Sequence, residues 1–334
     1  MEGGQCGKFF MRILVTGADG FVGSHLCEYL VKKGHTVRAL CFYNSFGSRG
    51  WLEQSEYLKD MEIVFGDIRD PNRCNKISNK VQVVINLAAL ISIPYSYDAP
   101  LSYFQTNVLG TINLCESALK NAVEKYLQIS TSEVYGSAIY TPIDEKHPIQ
   151  PQSPYSASKV SSDAVVYSYA KSFNLPAIIA RPFNTFGPRQ SVRAIIPTII
   201  TQMLTKKSTI KLGNLNSIRD FNYVENTTDA IESLLSIPFN NLEVFNIGSG
   251  QSIDVKTLYN KLSQFIDYKG VLEVHESKLR PEKSEVDELL CNFDKLKKTI
   301  GYTPKIDFDV GLKKTINWFL LKKDLYETIA TTFN

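Results

Sequence analysis

The sequence has no Cys-x-x-Cys pair: its six cysteines stand singly at Cys6, Cys27, Cys41, Cys74, Cys115 and Cys291. Most lie in apolar runs, which reads as buried free thiols in a reducing compartment rather than a disulfide framework. The four histidines, His25, His35, His147 and His275, show no ligand spacing, so no structural metal is expected. Long hydrophobic runs are missing too. The most apolar stretch, VQVVINLAALISIPY, is broken by Asn86 and Ser92 and falls short of the roughly 18–20 residues of a membrane span. Residues 1–10 lack the long apolar centre of a secretory signal and read as a short disordered extension ahead of Met11. Neither sign of charge dominates, with 37 Lys plus Arg against 34 Asp plus Glu. Without a basic stripe or a base-stacking motif, nucleic acid is not an expected partner. The expected setting is the cytoplasm, away from membranes.

What is present is a regular alternation. RILVTG is a β-branched run ending in glycine, the pattern of a buried parallel strand. FVGSHLCEYLVKKG follows with apolar residues at helical spacing and a glycine stop. HTVRALCF, EIVFGDI, VQVVINLAA, KYLQIST and PAIIARPF read as further strands, with helices expected over 106–122 and 153–173. Ser153 and Pro154 supply the cap and first position of the second of these. The pattern predicts an α/β fold: a Rossmann-type doubly wound parallel sheet with a smaller mixed C-terminal substrate lobe. The dinucleotide domain is expected over 11–184, with a segment near 221–250 returning to it. The lobe is expected over 185–220 and 251–330.

TGADGFVG places Gly17, Gly20 and Gly23 between the first strand and the first helix. The first glycine permits the tight turn, the second lets a pyrophosphate approach the backbone, and the third lets helix and strand pack closely. The helix N-terminus then offers N–H groups to the phosphates, including those of Phe21 and Val22. Other expected cofactor contacts are Asn44, Ser45 and Arg49 after the second strand, Asp67 and Ile68 after the third, and Leu87, Ala88 and Ala89 after the fourth. NAD sites usually carry an acid at the end of the second strand, where Cys41 sits here. That gap, with Arg49 nearby, leans the expectation to NADP over NAD.

Tyr155 and Lys159 share one face of the 153–173 helix, since residues four apart are neighbours there. A phenol needs nearby positive charge to serve as a base near neutrality, and Lys159 and a nicotinamide would both provide it. Thr131, at a strand end 24 residues upstream of Tyr155, has a hydroxyl able to hold a substrate oxygen shared with Tyr155.

On these residues the chain resembles the extended short-chain dehydrogenases/reductases, over nearly its whole length from Met11. The resemblance implies that Thr131, Tyr155 and Lys159 oxidise a sugar hydroxyl of a nucleotide sugar. Glu133, in STSEVYG, stands where sugar 4,6-dehydratases place a glutamate. C4 oxidation acidifies the C5 hydrogen, the carboxylate removes it as the C6 hydroxyl leaves, and hydride returns to C6. Ser132 stands where many dTDP-sugar dehydratases carry an aspartate. That departure resembles GDP-mannose dehydratases, in which one glutamate serves as both base and acid. LGNLNSIRDF resembles their diphosphate segment and implies a ligand role for Arg219; Asn184, Arg193 and Arg280 are expected to face the substrate on the same resemblance.

YNSFGSRGWL, AALISIPYSY, IDEKHPIQPQSPYSASK, RPFNTFGPRQS and RPEKSEV, with STSEVYG, resemble the 4,6-dehydratases of legionaminic acid biosynthesis. Those enzymes act on GDP-N-acetylglucosamine and feed a bacterial surface glycan. The resemblance also implies a homodimer through a four-helix bundle built on 106–122 and 153–173. Three readings compete: a UDP-glucuronate decarboxylase, a nucleotide-sugar 4-epimerase, which has no use for Glu133, and a non-catalytic dinucleotide sensor.

Overall fold

The computed structural model describes residues 10–205, 208–240, 242–276, 279 and 281–326. Residues 1–9 of the expected extension, and Arg280, lie outside them. Seven parallel strands form the central sheet: β1 (Arg12–Thr16), β2 (Thr36–Phe42), β3 (Met61–Gly66), β4 (Val83–Asn86), β5 (Lys125–Ile129), β6 (Ala177–Pro182) and the later β10 (Glu243–Ile247). Their order is β10-β6-β5-β4-β1-β2-β3. The order reverses between β1 and β4, so a crevice opens beyond their carboxyl ends. Strands this apolar need cover on both faces, and helices supply it. Helices α1 (Phe21–Lys32), α8 (Val224–Leu234) and α10 (Asp294–Ile300) bury Leu26, Leu30, Ile231, Leu234 and Leu296 on one face. Helices α2 (Pro71–Ser78), α5 (Gly110–Lys120) and α6 (Pro154–Phe173) bury Cys74, Ile77, Leu114, Cys115 and Val166 on the other.

Local chemistry sets the boundaries. Asp70 caps α2 by accepting from the Asn72 and Arg73 N–H groups, with Pro71 following. Ser153 and Ser156 form a reciprocal capping box on α6, which ends at Asn174 in the left-handed region. Between β4 and α5 lie two short helices, α3 (Ile93–Asp98) and α4 (Pro100–Tyr103), and then a π turn over Phe104–Leu109. The helix expected over 106–122 therefore begins in a π turn, and such turns gather at functional sites.

Beyond Pro182 the chain builds the smaller lobe. Strand β7 (Asn184–Phe186) pairs with β9 (Ile218–Tyr223), which also pairs with β11 (Ser252–Asp254) and β13 (Glu288–Leu289). Thus 221–223, the start of the segment expected near 221–250 to return to the dinucleotide domain, lies in β9 and pairs outside the seven-stranded sheet; α8 and β10 are the parts that join it. Strand β8 (Thr209–Leu212) pairs with β12 (Val271–Val274). Helices α7 (Ile195–Leu204), α9 (Val255–Ile266) and α11 (Phe308–Leu321) close the lobe over Phe186, Ile199, Leu212, Phe221, Leu258 and Phe319. Among the described residues, no helix is long and apolar enough to cross a membrane, and no cluster of His, Cys, Asp and Glu could hold a metal ion.

Candidate active site

The glycine turn has the shape its spacing implies. Gly17 sits at φ +65°, and a Cβ there would come within 3.0 Å of the Ala88 backbone. At Gly23 a Cβ would lie 2.0 Å from the Gly17 carbonyl oxygen, so α1 and the turn touch only because Gly23 lacks a side chain. No side chain caps α1, which leaves its first N–H groups facing the crevice. These residues fit a pyrophosphate. Gly23→Ala is expected to cost about 1–3 kcal/mol through overpacking against backbone and to abolish dinucleotide binding. Thermal unfolding with and without added dinucleotide measures both effects.

The rest of the expected cofactor surface is mixed. Thr16 Oγ1 accepts from the N–H groups of Leu87 and Ala88, at 3.1 and 3.0 Å, and donates to Asn86. This fixes the mouth of β4, and Ala89 follows directly. Ile68 is buried, and its Cδ1 fills the space a Cβ on Gly110 would take. Asp67 is paired with Arg69 through short bonds to both carboxylate oxygens. Burial opposes ionisation of that carboxyl, but the Arg69 bonds prevail and hold it below its ordinary range. A cavity of about 430 Å³ opens beside it, lined by Asp67, Arg69, Asp70, Gln105 and Leu109.

At the end of β2 the sequence argument about charge changes. Cys41 is fully buried in the core, so its side chain does not face the crevice. A carboxylate is nonetheless present: Asp19, from the glycine turn, accepts from the Phe42 N–H at 3.1 Å. Asn44 folds the following loop by bonding Phe42 O and Ser48 O and accepting from Phe46 N and Ser48 N. Ser45 and Arg49 are exposed on that loop.

The chemical residues converge at the end of β5. Thr131 caps a single 3-10 turn, Ser132–Tyr135, through its hydroxyl and the Glu133 N–H at 3.2 Å. Ser132 is buried; Glu133 is half-buried. Tyr155, at the first turn of α6, packs with Ile93 and Tyr103, its ring edge-on to Tyr103 at 6.2 Å. Burial is the largest influence on the Tyr155 phenol and pushes it well above its ordinary value; the Thr131 hydroxyl opposes this, and the Glu133 carboxylate adds to it. Thr131, Glu133 and Tyr155 are therefore neighbours in space as the sequence implied. Lys159 Nζ donates to the Ile129 carbonyl at 2.6 Å, rather than supplying the expected relief to the phenol directly.

Burial lowers Lys159 to about 8, with Asp163 opposing. That displacement corresponds to about 3 kcal/mol against the ammonium. The sign gives a testable limb. If catalysis needs the ammonium, activity should fall as pH rises through about 8. Asp163→Asn removes the one influence raising Lys159 and should move that limb to lower pH, read from kcat against pH.

The substrate-facing candidates are scattered. Asn184 opens β7, half-buried, two residues beyond the end of β6. Arg193 is exposed but close enough to Tyr103 to oppose the rise that burial gives its phenol. Arg219 is only 6% exposed. Its guanidinium donates to the carbonyls of Val286 at 2.7 Å and Asp287 at 3.3 Å, and faces Glu285 at 3.7 Å. Two features escaped the sequence reading. Asp19 had a signal, as an acid inside the glycine turn. Asn107 had one as a polar intrusion in an apolar helix: it bonds Leu90 at both N–H and carbonyl and reaches Ser158 at 2.9 Å, tying the β4 loop to α6.

A glycine turn on a doubly wound sheet, facing a Thr–Tyr–Lys cluster under a mixed lobe, defines the extended short-chain dehydrogenase/reductase class. Within it, a family model described as GDP-mannose 4,6 dehydratase matches residues 14–315, and the chain belongs to that family of nucleotide-sugar dehydratases and epimerases. The human dTDP-D-glucose 4,6-dehydratase is 29% identical over 95% of this chain and 92% of its own. The UDP-glucose 4-epimerase of Mycolicibacterium smegmatis is 30% identical over 92% of this chain and 98% of its own. Among solved structures, DesIV of Streptomyces venezuelae, a dTDP-glucose 4,6-dehydratase with NAD bound, superposes with a TM-score of 0.85. It is 28% identical and covers 94% of this chain and 98% of its own.

Proposed function

We propose that the protein is a nucleotide-sugar 4,6-dehydratase, acting on GDP-N-acetylglucosamine to give the 4-keto-6-deoxy sugar. The observation that carries the dehydratase assignment is Glu133: a half-buried carboxylate on the turn capped by Thr131, close enough to act on the Tyr155 phenol. Tyr155 takes the O4 proton, with the Thr131 hydroxyl holding the shared oxygen. Lys159, braced on Ile129 O, keeps positive charge under α6. Glu133 then takes the C5 proton and passes a proton to the departing C6 hydroxyl. A bound nicotinamide would supply the hydride acceptor at C4 and the donor at C6; as C6 receives hydride, C5 regains a proton through Glu133, balanced by the one Tyr155 took from O4, so the net change is loss of one water without net oxidation. The guanine base and the N-acetylglucosamine rest on the six sequence blocks shared with legionaminic acid enzymes.

For the dinucleotide, Asp19 supports NAD, because a carboxylate at the end of β2 opposes a 2′-phosphate and suits a free ribose hydroxyl. This reverses the lean to NADP drawn from Cys41. A homodimer through the 106–122 segment and α6 is supported by exposed apolar side chains on α6 and just ahead of α5: Leu101 on α4, Phe104 and Leu109 on the π turn, and Tyr167 and Phe173 on α6. Sedimentation should give twice the chain mass.

The 4-epimerase reading is favoured by the name of the M. smegmatis relative, and mass separates the alternatives. GDP-N-acetylglucosamine should lose water. An isomer of unchanged mass would mean an epimerase, and loss of CO2 from UDP-glucuronate would mean a decarboxylase.

A further inference from the structure

One buried cation reaches both halves of the chemical site. Arg181, on β6, has a side chain only 5% exposed. Its Nε and Nη2 donate to Asp163 Oδ2 at 3.2 and 3.1 Å. Its Nη1 donates to the Tyr135 hydroxyl at 3.0 Å, and the guanidinium lies over the Tyr135 ring at 5.1 Å. Tyr135 in turn donates to Asn246 Oδ1 at 2.7 Å, on the neighbouring strand β10, and Asn246 donates to Ile143 O.

The two anchors matter because of what each carries. Asp163 lies on the face of α6 that bears Tyr155 and Lys159, which precede it at spacings of eight and four. Tyr135 ends the 3-10 turn whose second residue is Glu133. We infer that Arg181 and Tyr135 are positioning residues: Arg181 bridges the Tyr155 helix and the Glu133 turn, and the Tyr135 hydroxyl holds the turn at the distance elimination needs. The inference rests on the dehydratase reading. Neither residue touches the crevice cluster directly; both act through backbone placement, to which rates are steeply sensitive.

The helix is over-determined without Arg181, since Lys159 bonds Ile129 O, and Ser158 and Ser162 bond Asn107. The turn has fewer ties, chiefly Thr131 with the Glu133 N–H and Gln150 N–H with Val134 O. Loosening the bridge should therefore show at Glu133 before it shows at Tyr155.

The test uses the full-length enzyme with GDP-N-acetylglucosamine in single turnover. Quenched samples are weighed for 4-keto sugar that still bears its C6 hydroxyl and for dehydrated product. Tyr135→Phe keeps the ring and loses only the hydroxyl. Arg181→Lys keeps the charge opposite Asp163 but loses the fork. Each should slow water loss about tenfold, leave C4 oxidation and KM within twofold, and accumulate the undehydrated keto sugar. The alkaline limb near pH 8 should stay in place for Arg181→Lys, because Asp163 keeps its counter-charge. The double variant should be no worse than the slower single, since both break one bridge. Parallel slowing of both steps, or additive effects in the double variant, overturns the inference, as does a Tyr135→Phe enzyme that dehydrates normally. Wild-type protein that releases no water overturns the dehydratase reading and this inference with it.

Discussion

Glu133→Gln is expected to keep C4 oxidation and to lose dehydration by on the order of 10²–10⁴-fold, the usual contribution of a positioned proton-transfer group. The substitution keeps the shape of the side chain. It also keeps the turn, because Thr131 holds the backbone N–H of residue 133 and not its carboxylate. What is lost is the group to which the proposed mechanism gives the carbon-bound proton. The first half-reaction should even be eased slightly. The Glu133 carboxylate is one of the influences that push the Tyr155 phenol up, so neutralising it favours the phenolate. Quenched single turnovers should hold the 4-keto sugar with its C6 hydroxyl intact, in amounts near one equivalent per site. Normal water loss by this variant would remove Glu133 from the mechanism and return the protein to the epimerase reading, which makes no use of the acid.

The features legible in the sequence were those whose parts lie close together along the chain. A glycine turn, a cap followed by proline, a Tyr and a Lys four apart, and an acid beside a threonine each announce themselves within a few residues. Six strands of the sheet are readable because parallel strands buried on both faces are nearly continuous apolar runs, RILVT and VVIN among them. The smaller lobe was harder. Its strands are two to six residues long, and pairing across sequence distance, as between β7 and β9, leaves little local trace. Charge at the end of β2 was misjudged for a related reason. Cys41, next to the strand end, turns inward, while the carboxylate beside that end, Asp19, comes from a turn 23 positions before Phe42. The resemblance implies a ligand role for Arg219, and its guanidinium also bonds Ile218 O and the carbonyls of Val286 and Asp287, the latter two on a segment that only folding brings near. The Arg181 bridge had no local signature at all: its partners Asp163, Tyr135 and, through Tyr135, Asn246 sit on three different elements.

Tyr155→Phe is expected to abolish the oxidation and, with it, every later step, because the C4 hydrogen cannot leave as hydride while O4 keeps its proton. Dehydration should fall by on the order of 10³–10⁴-fold, with no keto sugar of either kind in quenched samples, unlike Glu133→Gln. The fold should tolerate the change. Phenylalanine retains the edge-on contact with Tyr103 and the packing with Ile93, so the loss is one hydrogen-bonding group, worth about 1 kcal/mol. Thermal unfolding and nucleotide-sugar affinity should thus remain close to wild type, which separates lost chemistry from lost structure. The wild-type pH profile carries the same logic. Burial raises the Tyr155 phenol, so the fraction of phenolate grows with pH. Burial lowers Lys159 to about 8, so the ammonium disappears as pH rises through that value. The two trends oppose each other and confine activity to a window that closes on the alkaline side near pH 8. Since the closing limb belongs to Lys159, replacing Glu133 should leave it where it is, and replacing Asp163 should move it toward acid. A limb that moved when Glu133 is replaced would mean that Lys159 is not the titrating group and that the assignment of charges around Tyr155 is wrong.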